Sequence, residues 1–209
     1  MNQSTGMWRE IRKKVERCGA NSGSTASAAT GGAARPDGLA RFQTRLISIC
    51  VRQKSSKRKR YGDWEADLIQ GARGSGYLLS LYERKSRVGK LYKLAEKASE
   101  ETATAIVLRL LDYEVKSITY DNGLEFAMHG FVNELLGCAS YFCHPYSSWE
   151  KGGVENYNGL VRQYFPKGMD LRKVSSERLG EVEEEINNRP RNVLGYRSPN
   201  EFLDLLRLS

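Results

Sequence analysis

The chain has 209 residues, with 33 Lys and Arg against 25 Asp and Glu, a net charge of +8. A mean hydropathy of −0.56 and the absence of any run of 18 apolar residues exclude a membrane-spanning protein, and residues 1–30 lack the apolar centre of a secretory signal. The length suits one domain with a short appendage, and a pI near 9.3 points to a nucleic-acid partner.

The charge is unevenly placed. Residues 1–60 hold 14 Lys/Arg and 3 Asp/Glu, a net +11, which leaves 19 and 22, a net −3, for residues 61–209. Arg52, Lys54, Lys57, Arg58, Lys59 and Arg60 are its densest part. Such a run reads equally as a solvated tail or as an arm that tracks phosphates. Met7–Arg17 fits one basic helix with Trp8, Ile11 and Val15 on a face. Fifteen of the sixteen residues Gly19–Ala34 are Gly, Ala, Ser or Thr, too little apolar area to offset the entropy of ordering. Residues 1–60 therefore read as a basic, largely irregular arm, and residues 61–209 as the folded core.

In that core, Trp64–Ile69 alternates as a strand and ends at Gly71, Gly74 and Gly76. Tyr77–Tyr82 and Val88–Leu94 follow as strands around a polar hairpin connection, Glu83–Arg87. Ser99–Tyr113 has apolar residues at i, i+3, i+4, i+7 and i+8 from Ala103, the stripe of an amphipathic helix with Ser99 as its N-cap. Val115–Tyr120 is a short strand stopped at Asp121-Asn122-Gly123, and the strand–helix–strand passage favours a parallel pair. Ala127–Leu136 is helical and Ser140–Cys143 is a last strand. Gly153–Tyr164 and Ser176–Asn188 are helices, and Ser198-Pro199-Asn200-Glu201 is a capping box that opens a final helix. The fold class is α/β, with a mixed sheet and no internal repeat.

Three acids stand out by position. Asp67 lies within the first strand, Asp121 ends the fourth, and Glu155 falls in the first turn of the helix behind Ser147–Gly153. Each alone has an ordinary structural explanation: a solvent-facing strand residue, turn chemistry, or helix-dipole compensation. Their spacing is more telling, 54 positions from Asp67 to Asp121 and 34 from Asp121 to Glu155. This resembles the DDE transposase and retroviral-integrase superfamily. Gly62–Ile69, Tyr120–Phe126, the long string Ser148–Asn156 with Asn158-Gly159-Leu160, Arg162-Gln163 and Tyr164–Gly168, and Asn188–Arg191 with Leu194–Pro199 resemble the insertion-sequence-thirty family of bacterial transposases.

The resemblance covers about residues 61–203. It implies a ribonuclease-H-like, five-stranded mixed sheet flanked by helices, which brings Asp67, Asp121 and Glu155 together as catalytic and metal-binding residues. The implied cofactor is a pair of Mg²⁺ ions, with Mn²⁺ as substitute, and the implied reaction is DNA strand cleavage followed by 3′-OH strand transfer. Hard oxygen ligands suit such ions, and two metals stabilise both the attacking and the leaving oxygen. Without metal, converging carboxylates at 4 Å repel by about 4 kcal/mol per pair at an effective dielectric near 20. A loosely ordered site with a mobile Glu155 is the expectation.

Arg162, seven positions after Glu155, shares its helix face and is a candidate for holding the DNA backbone. Asn156, Asn158 and Lys167 are further candidates for DNA contact, as are Lys57, Arg58, Lys59 and Arg60 of the arm. Tyr146 and Trp149 fit base stacking or loop anchoring. Glu65, on the same strand face as Asp67, and Glu125, close to Asp121, rank behind the matched acids. His129, His144, Cys138 and Cys143 read as structural, and the four cysteines form no disulfide or zinc pattern. A reducing bacterial cytoplasm, at the nucleoid, is the expected location, and at least a dimer on DNA the expected assembly.

Members of this family begin with helix-turn-helix domains. Here only Trp8–Arg12 resembles the end of a recognition helix, so the resemblance implies a truncated copy, with a reading-frame error across residues 17–50 as the hypothesis. A non-catalytic DNA-binding remnant that interferes with or partners an intact transposase is the alternative function. A general ribonuclease-H-like nuclease shares the carboxylates and leaves the long matched strings unexplained.

Overall fold

The computed structural model describes residues 60–144 and 148–208, without the side chains of Ser148 and Trp149. The expected helix Met7–Arg17, the Gly/Ala/Ser/Thr stretch, the cations Lys57, Arg58 and Lys59, and Tyr146 lie outside the described residues.

β1 (Asp63–Gln70), β2 (Tyr77–Glu83) and β3 (Gly89–Leu94) are antiparallel neighbours, and β2 at their centre is buried along almost its whole length. Helix α1 (Ser99–Leu110) then carries the chain to β4 (Ser117–Tyr120), and α2 (His129–Leu136) to β5 (Ala139–Phe142). The five-stranded sheet has the order β3-β2-β1-β4-β5. β4 pairs in parallel with β1, and β5 in parallel with β4. The parallel pair expected from the strand–helix–strand passage thus forms between β4 and β1. Three helices complete the chain: α3 (Gly152–Tyr164), α4 (Ser176–Asn187) and α5 (Pro199–Leu208).

Two of the expected helix starts have different outcomes. Ser99 is not the N-cap of α1: Ala98 holds that position with no side-chain cap. Glu101 instead turns back, and its carboxylate accepts the backbone N–H groups of Ala95 at 3.0 Å and Glu96 at 3.3 Å. The capping box at α5 forms as read: Ser198 N–H donates to Glu201 at 2.7 Å, and Glu201 N–H to the Ser198 hydroxyl at 3.2 Å.

The sheet face toward α3 and α4 holds Ile69, Leu78, Tyr82 and Leu91 against Val154, Tyr157, Val161, Val182 and Ile186, all buried. Polar clamps fix the register of this layer. The Asn187 amide accepts Gly89 N–H at 2.9 Å and donates to Gly89 O at 2.8 Å, and Glu183 accepts Leu91 N–H at 2.7 Å while pairing with Lys90 and Arg109. At the β2–β3 turn the fully buried Glu83 carboxylate accepts the N–H groups of Gly62, Lys85 and Ser86 and the Ser86 hydroxyl. Burial raises its pKa against those four donors.

The start of α3 is fixed by space as well as by hydrogen bonds. A Cβ on Gly153 would lie 2.6 Å from the Tyr82 ring and 2.8 Å from the Glu65 carboxylate, whereas one on Gly152 would meet nothing within 4 Å. Gly153→Ala is therefore expected to cost about 1–3 kcal/mol in urea unfolding by overpacking. Gly152→Ala, in open space, is expected to change stability by less than about 0.5 kcal/mol. Equal effects of the two substitutions would show that helix propensity, not the seam against β1, governs this end.

Candidate active site

Period-two alternation places Glu65, Asp67 and Ile69 on the sheet face that α3 covers. Helix α3 lies along β1 and is fastened to it at successive turns. Val154 N–H donates to Glu65 at 2.8 Å, the Asn158 amide to Asp67 at 2.7 Å, and the Arg162 guanidinium to Gln70 O at 2.7 Å. Residues 154, 158 and 162 are spaced i, i+4, i+8 and form one stripe. Glu65 is held in turn by Arg84 at 2.8 Å, and Arg84 also donates to Glu150 O at 3.2 Å. The buried carboxylate of Glu65 thus satisfies an otherwise unpaired N–H at the start of α3 and favours its positive end.

β1 and β4 bring the two aspartates together. Asp63, Trp64 and Glu65 pair with Ser117, Ile118 and Thr119, and this register continued by two residues sets Asp67 beside Asp121. Asp121 follows the end of β4, where its carboxylate also accepts Gly123 N–H at 3.0 Å. Between the two sits the ammonium of Lys151, 2.9 Å from Asp67 and 3.5 Å from Asp121, with its side chain only 8% exposed. It also donates to Ala66 O at 3.3 Å. Burial alone would lower the Lys151 pKa; the two carboxylates outweigh it and hold the group above the usual lysine range.

This cation changes the expected picture of a metal-free site. The repulsion between Asp67 and Asp121 is met from within the chain, and the site is a hydrogen-bonded cluster. Lys151 lies within the matched string Ser148–Asn156; its position between Glu150 and Gly152-Gly153, just ahead of the helix that carries Glu155, is the one signal of its role in the sequence.

Glu155 occupies the first turn of α3, as read, but is exposed. Among the described residues no group of three or more His, Cys, Asp or Glu converges closely enough to hold a metal ion, so the structure joins Asp67 and Asp121 and leaves Glu155 outside the pair. Glu155 is three positions from Asn158, which touches Asp67, so its Cβ neighbours that contact on the helix surface.

The remaining candidates divide by what they touch. Arg162 is committed to Gln70 O and to Phe165 O at 3.4 Å, and burial lowers its pKa. Asn158 holds Asp67, Asn156 is exposed, and Lys167 is exposed beyond the end of α3. Arg60 pairs with Asp63 at 2.5 Å. Glu125 is buried and pairs with Lys97 at 3.0 Å. His144 bonds Glu150 at 3.1 Å, and His129 bonds Phe126 O at 3.2 Å and lies edge-on to Phe142. Cys138 and Cys143 are not in disulfides; Cys143 is buried, and the Cys138 thiol donates to Asn133 Oδ1 at 3.6 Å.

The mixed five-stranded sheet in the order β3-β2-β1-β4-β5, flanked by helices, has the fold of a retroviral-integrase catalytic core. The catalytic core domain of BIV integrase superposes with a TM-score of 0.54 at 18% identity, covering 70% of this chain and 97% of that one. No protein-family model matches the sequence. Among curated proteins, the transposase for insertion sequence element IS4351 of Bacteroides fragilis is 42% identical over 146 residues, 69% of this chain and 45% of that protein. Transposase InsI for insertion sequence element IS30A of Escherichia coli strain K12 is 37% identical over 150 residues, 70% and 39% of the two chains. The chain is thus a homologue of the transposases of the insertion-sequence-thirty family, and it spans less than half the length of these relatives.

Lys151→Gln removes the counter-charge from a half-buried carboxylate pair. Its expected cost is about 1–2 kcal/mol without divalent metal, below the cost for a fully buried pair because both aspartates keep solvent contact. Mg²⁺ or Mn²⁺ is expected to raise the melting temperature of this variant more than that of the wild type. Identical metal-free stability of the two proteins would contradict the assigned counter-ion role.

Proposed function

We propose that this chain carries the catalytic core of a DDE-type DNA transposase, a metal-dependent polynucleotidyl transferase that cleaves the ends of an insertion sequence and joins the freed 3′-OH to target DNA. The observation that carries this reading is the Asp67–Asp121 pair, set at one level by the β1–β4 register and gathered around a cation. The homologues' names and the fold of the integrase core support it. The remnant alternative is not favoured, because the homologues are named transposases and the structural neighbour is an integrase core.

The residues fit a hard divalent cation. Asp67 and Asp121 present oxygen donors to one point, an ammonium already occupies it, and the buried amide oxygen of Asn158 beside Asp67 has no partner. Asp67 and Asp121 would hold Mg²⁺ or Mn²⁺, joined by Glu155 from α3. The metals, when bound, supply an activated oxygen nucleophile and a stabilised leaving oxygen.

The protein's own residues then have separable tasks. Glu65 and Arg84 set the start of α3, and Arg162 ties its later turn to the end of β1, so that Glu155 is presented at a fixed height along the strand. Asn158 orients the Asp67 carboxylate. Lys151 neutralises the pair; were a metal held there instead, its ammonium would be free for a phosphate. Asn156, Lys167 and the cations Lys57, Arg58 and Lys59 are the proposed DNA contacts, while Arg162 and Asn158 act chiefly by positioning. Two ends must be joined together, so at least a dimer on DNA is proposed, with the nucleoid of the bacterial cytoplasm as the location. No helix among the described residues is long and apolar enough to cross a membrane.

A strand-transfer assay on DNA carrying the ends of the encoding element, with Mg²⁺ or Mn²⁺, tests the reading. Asp67→Asn, Asp121→Asn and Glu155→Gln are each expected to lower the rate about a hundredfold or more, the scale on which removal of one electrostatic group acts in polar active sites. Activity that survives Asp121→Asn would sink the assignment.

A further inference from the structure

A second site lies against α3, away from the carboxylates. A cavity of about 190 Å³ opens between the β2–β3 turn, the first turns of α3 and the loop after α4, bounded among others by Tyr82, Arg87, Asn156, Arg191 and Val193. No acidic side chain lines it. Arg87 donates to the Tyr82 hydroxyl at 3.2 Å and Arg191 to Ile186 O at 3.2 Å, both uncharged acceptors. The Nε of Arg191 is buried without a partner. Burial pulls the Arg191 guanidinium below the usual arginine range, and the neighbouring Arg189 and Arg87 charges add to that. Two half-buried guanidiniums with no carboxylate between them leave a positive field that an anion would complete.

Backbone conformation points to the same place. Among the described residues the non-glycine positions with left-handed backbone are Arg87, at φ 67°, and Tyr196, at φ 63°. Each costs roughly 1–2 kcal/mol that glycine would avoid. Both belong to loops that frame this cavity. Arg87 closes the β2–β3 turn, and Tyr196 lies in the short loop after α4 that also supplies Arg191 and Val193. Tyr196 is 74% exposed and Val193 71%, so this loop offers an apolar side chain at the cavity and an exposed ring three positions further along. Arginine for phosphate and an exposed aromatic for a base is the combination that grips single-stranded nucleic acid.

The helix sets the spacing to the acids. At about 100° per residue, Glu155 projects from α3 about 60° from Asn158, which touches Asp67, and about 100° from Asn156, which lines the cavity. Glu155 therefore stands between the carboxylate pair and the cavity.

We propose that this cavity is a DNA-strand subsite, in which Arg87 and Arg191 hold a backbone phosphate and the loop bearing Val193 and Tyr196 contacts the adjoining base. It deepens, and rests on, the reading of the chain as a DNA-processing enzyme.

Arginine footprinting with phenylglyoxal, read by mass spectrometry on the full chain in EDTA, tests the subsite with a short single-stranded oligonucleotide as probe. Arg87 is expected to react at least about threefold more slowly with saturating DNA, and Arg178, ion-paired with Glu181, at an unchanged rate. Arg87→Gln is expected to weaken binding of the same oligonucleotide about three- to tenfold and to reduce the slope of log affinity against log salt by about 0.7. Unchanged reactivity of Arg87 while arginines of residues 1–60 become protected would overturn the proposal. So would equal protection by inorganic phosphate at the same phosphate concentration. Because EDTA removes catalysis, protection of Arg87 together with strand transfer that survives Asp121→Asn would leave the subsite standing and the catalytic reading fallen.

Discussion

The seam between β1 and α3 is the constraint on which the site depends. It is polar where most strand–helix contacts are apolar: a buried Glu65 accepts Val154 N–H, Asp67 accepts from Asn158, and Gln70 O accepts from Arg162. A glutamate as buried as Glu65 is tolerated only when its oxygens are taken, and Arg84 and the first turn of α3 take them. Slippage of α3 by one turn would take the Val154 N–H from Glu65 Oε2 and leave that buried oxygen without its donor, so its desolvation penalty fixes the helix position. Below this seam the apolar cluster of Ile69, Tyr82, Tyr157 and Val161 supplies adhesion, while the polar bonds supply register.

That register is what converts an ordinary α/β sheet into a site. Two strand acids placed level with each other would repel, and the fold answers with a nearly buried lysine from the turn just before α3. The oxygens that hold this ammonium are of the hard kind that the proposed dication would use, so Lys151 and a metal would compete for one place.

Much of this was legible in the residues. Strand positions followed from alternation, and the face shared by Glu65, Asp67 and Ile69 followed from period two. The role of Glu65 was not legible, because a strand acid two positions from Asp67 looks like a weaker copy of it; only the tertiary approach of Val154 shows it to be a helix anchor. Ser99 was an ordinary capping residue in sequence and lost that place to Glu101, which reaches back to two N–H groups at once. Lys151 was hidden for a different reason: a lone cation next to glycines carries no periodicity, and its partners are 84 and 30 positions away in the chain. Arg87 was read as part of a polar turn, and the left-handed backbone that sets it apart is visible only in the structure.

The net charge of +8 divides into +11 over residues 1–60 and −3 over residues 61–209, and several cations of the latter have specific places. Lys151 lies between the strand acids, Arg84 behind Glu65, and Arg87 with Arg191 at a cavity without acids. The most direct test of the central claim is a Mn²⁺ titration followed by electron paramagnetic resonance on the wild type, Asp67→Asn and Asp121→Asn. Binding in the wild type that is lost in both variants is the predicted result. Mn²⁺ binding of equal strength in all three proteins would contradict the account.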